Sequence, residues 1–176
     1  DFASRFPGEV VGSVYVDPTN FLMTVNEHRR ILTGLGISEA EQKTFAAQEE
    51  ADSKEMLARM PAGLRAEFLV IEQTQNVDPS EWVPSQPSMP TSILLAGRLD
   101  PRMRKPPGAA PHALDQDAYF KAERALTLSQ FRNRLAEIPG SSVQMVPEAG
   151  HAIHRDAPAI VASEIRRILS LGRQQQ

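Results

Sequence analysis

Apolar and polar positions along the chain sort into three short runs without clean alternation and several longer stretches with helical spacing. Residues 10–17 (Val-Val-Gly-Ser-Val-Tyr-Val-Asp) form a β-branched run between Pro7-Gly8 and Pro18. Apolar side chains fall on both parities, which predicts a strand buried on both faces, as in a parallel sheet. Ser92-Ile93-Leu94-Leu95-Ala96-Gly97 repeats the profile after Pro90, and Val143-Gln144-Met145-Val146 repeats it after Pro139-Gly140. Each run ends in a polar or glycine-containing loop and precedes a helical stretch. In the last helix Asp156 can cap, Pro158 sits in the first turn, and Ile160, Val161, Ile165, Ile168 and Leu169 predict one apolar face. The order is strand, helical excursion, strand, helix, strand, helix, which is an α/β pattern.

The excursion has a different character. Asn26 to Thr33 is spaced as a helix, and Ser38-Glu39-Ala40-Glu41 is a capping-box pattern opening a polar helix that reaches Met60. Its apolar residues (Phe45, Met56, Leu57, Met60) make only a thin stripe. Pro61 starts another helix through Leu64, Phe68 and Ile71. Pro79, Pro84, Pro87 and Pro90, with three serines among residues 78–90, read as a linker. The chain contains no internal repeat.

Composition narrows the class. The 176 residues carry 19 basic and 22 acidic side chains, a formal charge of −3, which argues against a nucleic-acid partner. No apolar stretch approaches the roughly 18 residues of a membrane-spanning helix. With no cysteine, thiolate catalysis, thiolate metal sites and disulfides are excluded, although the compartment is not fixed by this. Phe2, Ala3 and Phe6 are spaced for one helical face that Pro7 stops, which reads as the last turns of a helix whose start is not here. Three buried parallel strands also leave an edge in need of a partner. Both features lead to the expectation that this is the C-terminal part of a larger fold.

Two loops carry candidate chemistry. Pro147-Glu148-Ala149-Gly150-His151-Ala152-Ile153-His154 puts a histidine after a buried strand and before the last helix, and small Gly150 would let the backbone turn closely. Ala96-Gly97-Arg98-Leu99-Asp100-Pro101 puts a carboxylate at the end of the preceding strand. Active groups of open α/β sheets collect at such strand ends. A carboxylate on a ring nitrogen fixes the histidine tautomer and stabilises the imidazolium of acyl transfer.

The order acid then histidine, in this context, resembles the C-terminal half of the α/β-hydrolase superfamily, most like carboxylesterases. Phe2 to Val10 is similar to the end of the helix behind the nucleophile, and Val14-Tyr15-Val16-Asp17-Pro18 to the strand after it. Pro90 to Pro101 is similar to the acid strand and loop, Ala149-Gly150-His151 to the histidine loop, and Pro158 onward to the closing helix. The resemblance implies a hydrolase core in residues 1–20 and 90–176, containing the last three parallel strands, with a helical cap and linker in 21–89. It implies His151 as general base and acid and Asp100 as its orienting carboxylate, with Asp17 as the rival acid. His154 then reads as a loop or packing residue, and His28 and His112 have no readable partner. No cofactor and no metal are implied.

The family's Gly-x-Ser-x-Gly elbow does not occur. Among ten glycines the only pair four apart, Gly8 and Gly12, encloses Val10. The nucleophile is therefore expected in a preceding N-terminal segment, as a separate chain or the front of the same polypeptide, with a small ester as substrate and no nucleic-acid or membrane partner. An aspartate nucleophile, as in epoxide hydrolases and haloalkane dehalogenases, and a non-catalytic hydrolase-like binding protein are the alternatives. Glu39, Glu41, Glu49, Glu50 and Asp52 read as a solvated helix face before metal ligands. Arg98, Arg102, Arg104 and Lys105 read as a solvated loop that can also attract anions. Met23, Met56, Met60 and Met103 read as gap-fillers.

Overall fold

The computed structural model describes residues 5–19, 23–75, 89–101, 104 and 114–174. The chain divides into one unit of residues 1–20, 84–103 and 124–176 and a second of residues 21–83 and 104–123.

The first unit is built on β2 (Thr91–Ala96), whose six residues are all buried. Its neighbours are β1 (Ser13–Val16) and β3 (Ser142–Val146), both parallel to it, giving the order β1-β2-β3. The register pairs Ser13 with Thr91 and Val16 with Leu94 on one side, and Ser92 with Ser142 and Ala96 with Val146 on the other. Parallel strands joined by helical connections place the class as α/β. The two-sided burial expected from the apolar runs holds for β2 alone. On β1 it gives way, with Tyr15 45% exposed, because β1 stands at the edge of the sheet among the described residues.

Helix α6 (Pro158–Gln174) closes the unit and contacts β1 and β2. Ile168 is buried, while Ile165 and Leu169, expected on the same inward face, stand about half exposed. The buried line of α6 follows Ile168 and Gly172 instead. Gly12 lets α6 and the entry to β2 come close, since a Cβ there would lie 2.5 Å from both the Ile168 side chain and the Pro90 carbonyl oxygen. Polar ties finish the contact. Ser92 Oγ and Arg167 Nε both donate to Glu164 Oε2, at 2.8 Å each, and Arg167 Nη2 donates to Ser142 Oγ at 2.6 Å. Burial pushes the Glu164 carboxyl up, but the hydrogen bonds from Arg167, Ser92 and Ser142 together hold it below its ordinary range.

The second unit contains α1 (Val25–Gly34), α2 (Glu39–Arg59), α3 (Ala62–Gln75) and the first turns of α4 (Gln116–Leu135). The Ser38–Glu41 capping box forms as expected, and Thr24–Glu27 makes a second one before α1. Leu32, Ile37 and Phe45 form a small core with half-buried Leu35, Leu114 and Tyr119. Phe45 is the buried residue of α2, whereas Met56 is exposed, so the thin stripe is thinner than its spacing suggests. Leu64 of α3 is exposed as well. The proposed opening helix, the linker and Met103 lie at least partly outside the described residues.

Candidate active site at the carboxyl ends of the strands

The site begins where β1 stops. Asp17 donates its backbone N–H to Leu94 O at 2.7 Å, continuing the ladder by one step. Its φ of +47° then turns the chain ahead of Pro18. Aspartate enters this left-handed region more readily than most side chains. The turn leaves the carboxylate inside the protein, with the residue 5% exposed.

A buried carboxylate needs partners for its charge and lone pairs. Asp17 Oδ1 accepts from the Ala96 N–H at 2.9 Å and pairs with Arg124 Nη1 at 3.0 Å. Oδ2 lies 3.4 Å from Arg124 Nη2 and 2.8 Å from His151 Nδ1. Arg124 sits on α4, whose following residues Thr127, Phe131 and Leu135 are buried and so fix the helix.

The histidine loop is held from two sides. The Gly97 and Ala149 N–H groups both donate to Val146 O, the Arg98 N–H donates to Ala149 O, and Arg98 Nε donates to Glu148 O. Gly97 permits this approach, since a Cβ there would meet Pro147 Cα at 2.5 Å and Val146 O at 2.8 Å. On the other side the Gly150 N–H donates to Asp156 Oδ2 at 2.8 Å, and Arg98 Nη2 lies 3.5 Å from the same oxygen. Asp156 thus braces the histidine loop, a use its position before Pro158 did not suggest. Ile153, in the short helix α5 (Ile153–Asp156), is fully buried and anchors the loop from behind.

The result is a histidine with one nitrogen fixed and the ring otherwise open. Its side chain is 62% exposed, against 2% for that of Asp17. A carboxylate only accepts, so Nδ1 carries a proton, and in the neutral ring Nε2 then presents a lone pair. That is the arrangement of a general base with an orienting acid.

Of the two candidate acids, the one on Nδ1 is the rival, Asp17. Asp100 is half-buried beside the same loop, its Oδ2 3.6 Å from where a Cβ on Gly150 would stand. That Cβ would make only ordinary contacts, so the close approach expected at Gly150 occurs at Gly97 instead. The selection of Asp17 follows from burial: the turn after β1 points its carboxylate to the interior, where Arg124 and the Ala96 N–H are waiting. Nothing in the sequence around Arg124 singled it out.

The other candidates are accounted for locally. His154 is exposed, and His28 Nδ1 lies 3.2 Å from the Tyr119 hydroxyl, whose ionisation burial makes harder. Glu39 and Glu50 pair with Lys43 and Lys54 along α2, and Gln48 donates to Asp52. Arg104 donates to both oxygens of Asp117. His112, Arg102 and Lys105 lie outside the described residues. Among the described residues no helix is long and apolar enough to cross a membrane.

No family model, curated protein or solved structure matches this chain.

Proposed function

We propose that His151 and Asp17 are the base and orienting acid of a serine hydrolase of the α/β-hydrolase type, acting on carboxylic esters. The observation that carries this is the exposed His151 ring whose Nδ1 sits 2.8 Å from a buried carboxylate at the ends of parallel strands. The reaction needs a nucleophile from a preceding segment. The edge of β1, unpaired among the described residues, and the half-exposed Tyr15, Ile165 and Leu169 support further structure beside this sheet. In the reaction a serine hydroxyl attacks the ester carbonyl while His151 Nε2 takes its proton. His151 then protonates the leaving alcohol. Water next gives a proton to His151 and attacks the acyl-enzyme, and collapse of that intermediate releases the acid while His151 returns the proton to the serine oxygen. Asp17 holds the ring in register throughout. The helices between β1 and β2 occupy the place in the chain of a cap that shapes the acyl or alcohol pocket.

The test is p-nitrophenyl ester turnover and fluorophosphonate labelling of the polypeptide that includes the preceding segment. Labelling of a serine, with turnover abolished in His151→Ala, is the expected result. Unchanged turnover in His151→Ala defeats the reading. Turnover without labelling points to an aspartate nucleophile, and saturable ligand binding without turnover points to a binding protein.

A further inference from the structure

Asp17 is shared between two side-chain donors, the Arg124 guanidinium and the His151 imidazole, and the sharing has a direction. Arg124 Nη1 and the Ala96 N–H take Oδ1, and His151 Nδ1 faces Oδ2 at a shorter distance than Arg124 Nη2 does. Arg124 is itself largely buried, its side chain 14% exposed, so the guanidinium and the carboxylate compensate each other where water screens little. We propose that Arg124 is a positioning residue of the His151–Asp17 pair. By occupying Oδ1 it dictates which oxygen His151 meets. Its guanidinium is also a positive charge on the far side of the carboxylate, so it weakens the pull of Asp17 on any positive charge at the ring.

The catalytic meaning of this role rests on the hydrolase reading, while its electrostatic part stands on the three side chains alone. Other charged groups flank His151. Glu148, His154 and Arg155 come from its own segment, Arg98 and Asp100 from the loop after β2, and Asp156 from the end of α5. None of these is changed in the comparison that tests Arg124.

The experiment is a pH titration of the imidazole resonances in the ¹⁵N-histidine-labelled 176-residue chain, with Arg124→Gln, Arg124→Lys and Asp17→Asn beside wild type. In Arg124→Gln the His151 titration moves upward from that of wild type, as removal of a nearby like charge requires. Arg124→Lys keeps the charge but loses the planar fork, so it shows a smaller upward move and a mixed tautomer of neutral His151. Asp17→Asn moves the titration downward. If Asp17→Asn moves it and Arg124→Gln does not, the role of Arg124 is overturned while the hydrolase reading stands. If neither variant moves it, the Asp17–His151 pair is overturned, and the hydrolase reading with it. Should Arg124→Gln not fold, Arg124→Lys decides: an unchanged titration and a single Nδ1–H tautomer overturn the inference.

Discussion

The turns after β1 and β2 share a local sequence, Asp-Pro directly after or shortly beyond a parallel strand, yet they do different work. At Val16-Asp17-Pro18 the chain turns through a left-handed aspartate, and the carboxylate goes inward to Ala96, Arg124 and His151. At Gly97-Arg98-Leu99-Asp100-Pro101 the backbone takes the close contacts instead. Gly97 and Arg98 donate to the carbonyls of Val146 and Ala149, and Asp100 stays half-buried beside Gly150. One turn supplies charge to the histidine, and the other supplies the frame that aims it. Similar local sequence thus carries two roles, separated by backbone direction and by what lies behind each loop.

Catalysis gives the sharpest way to break this division. In a polypeptide with the preceding segment that the proposed function requires, Asp17→Asn should lower kcat for an ester by about 10⁴-fold, the scale of removing an orienting acid. Asp100→Asn should cost about tenfold or less. Steady-state kinetics of the two variants check this, and the reverse order would exchange the roles of the turns.

Stability offers the next largest contrast. Asp17→Ala leaves Arg124 buried without its carboxylate, and breaking such a pair costs about 3–5 kcal/mol. Asp100→Ala, at a more open position, should stay within about 1 kcal/mol. Urea denaturation of the 176-residue chain measures both.

The framing turn can be probed through Gly97, with Gly150 of the histidine loop beside it. A Cβ at Gly97 would press on backbone atoms of Pro147 and Val146, so Gly97→Ala should destabilise by about 1–3 kcal/mol. Gly150→Ala meets only ordinary contacts and should change stability by about 0.5 kcal/mol or less. Thermal melts of the two variants compare the turn after β2 with the histidine loop; equal losses would mean that Gly97 does not bear the close approach.

The smallest effect lies away from both turns and serves as their control. The Glu164 carboxyl is held below its ordinary value of 4.5 in the folded chain, so its contribution is present above the unfolded value. That contribution is lost as pH falls through the lower folded value. Wild type should therefore lose its stability advantage over Glu164→Gln as pH drops below about 4.5, while the orientation of His151 by Asp17 is untouched. Parallel pH-dependent denaturation of the two proteins checks this.

Much of the local structure was legible in the sequence. The capping box at Ser38-x-x-Glu41 involves groups three residues apart, and the run Ser92–Ala96 is apolar enough to be buried whatever surrounds it. His151 was legible as a histidine in the loop after a strand, through the Gly-His step and its place before the last helix. The acid was not legible to the same degree. Asp17 and Asp100 both precede a proline after a buried run, and resemblance favoured Asp100. Arg124 was invisible because a basic residue inside a polar helix is ordinary in sequence; only its neighbours in space give it meaning. The outward faces of Tyr15, Ile165 and Leu169 were misjudged for a related reason, since periodicity tells which side chains share a face but not whether anything covers it.

The sequence by itself determined the parallel α/β class, the three strands, the capped start of α2 and a histidine at a strand end. All of these depend on interactions within a few residues or on the apolar character of one run. Tertiary structure alone decided which carboxylate meets that histidine and which cation stands behind it. His151, Asp17 and Arg124 are separated by 134 and 107 positions from Asp17 outward, and only strand order, a left-handed turn and helix placement bring them within hydrogen-bond distance.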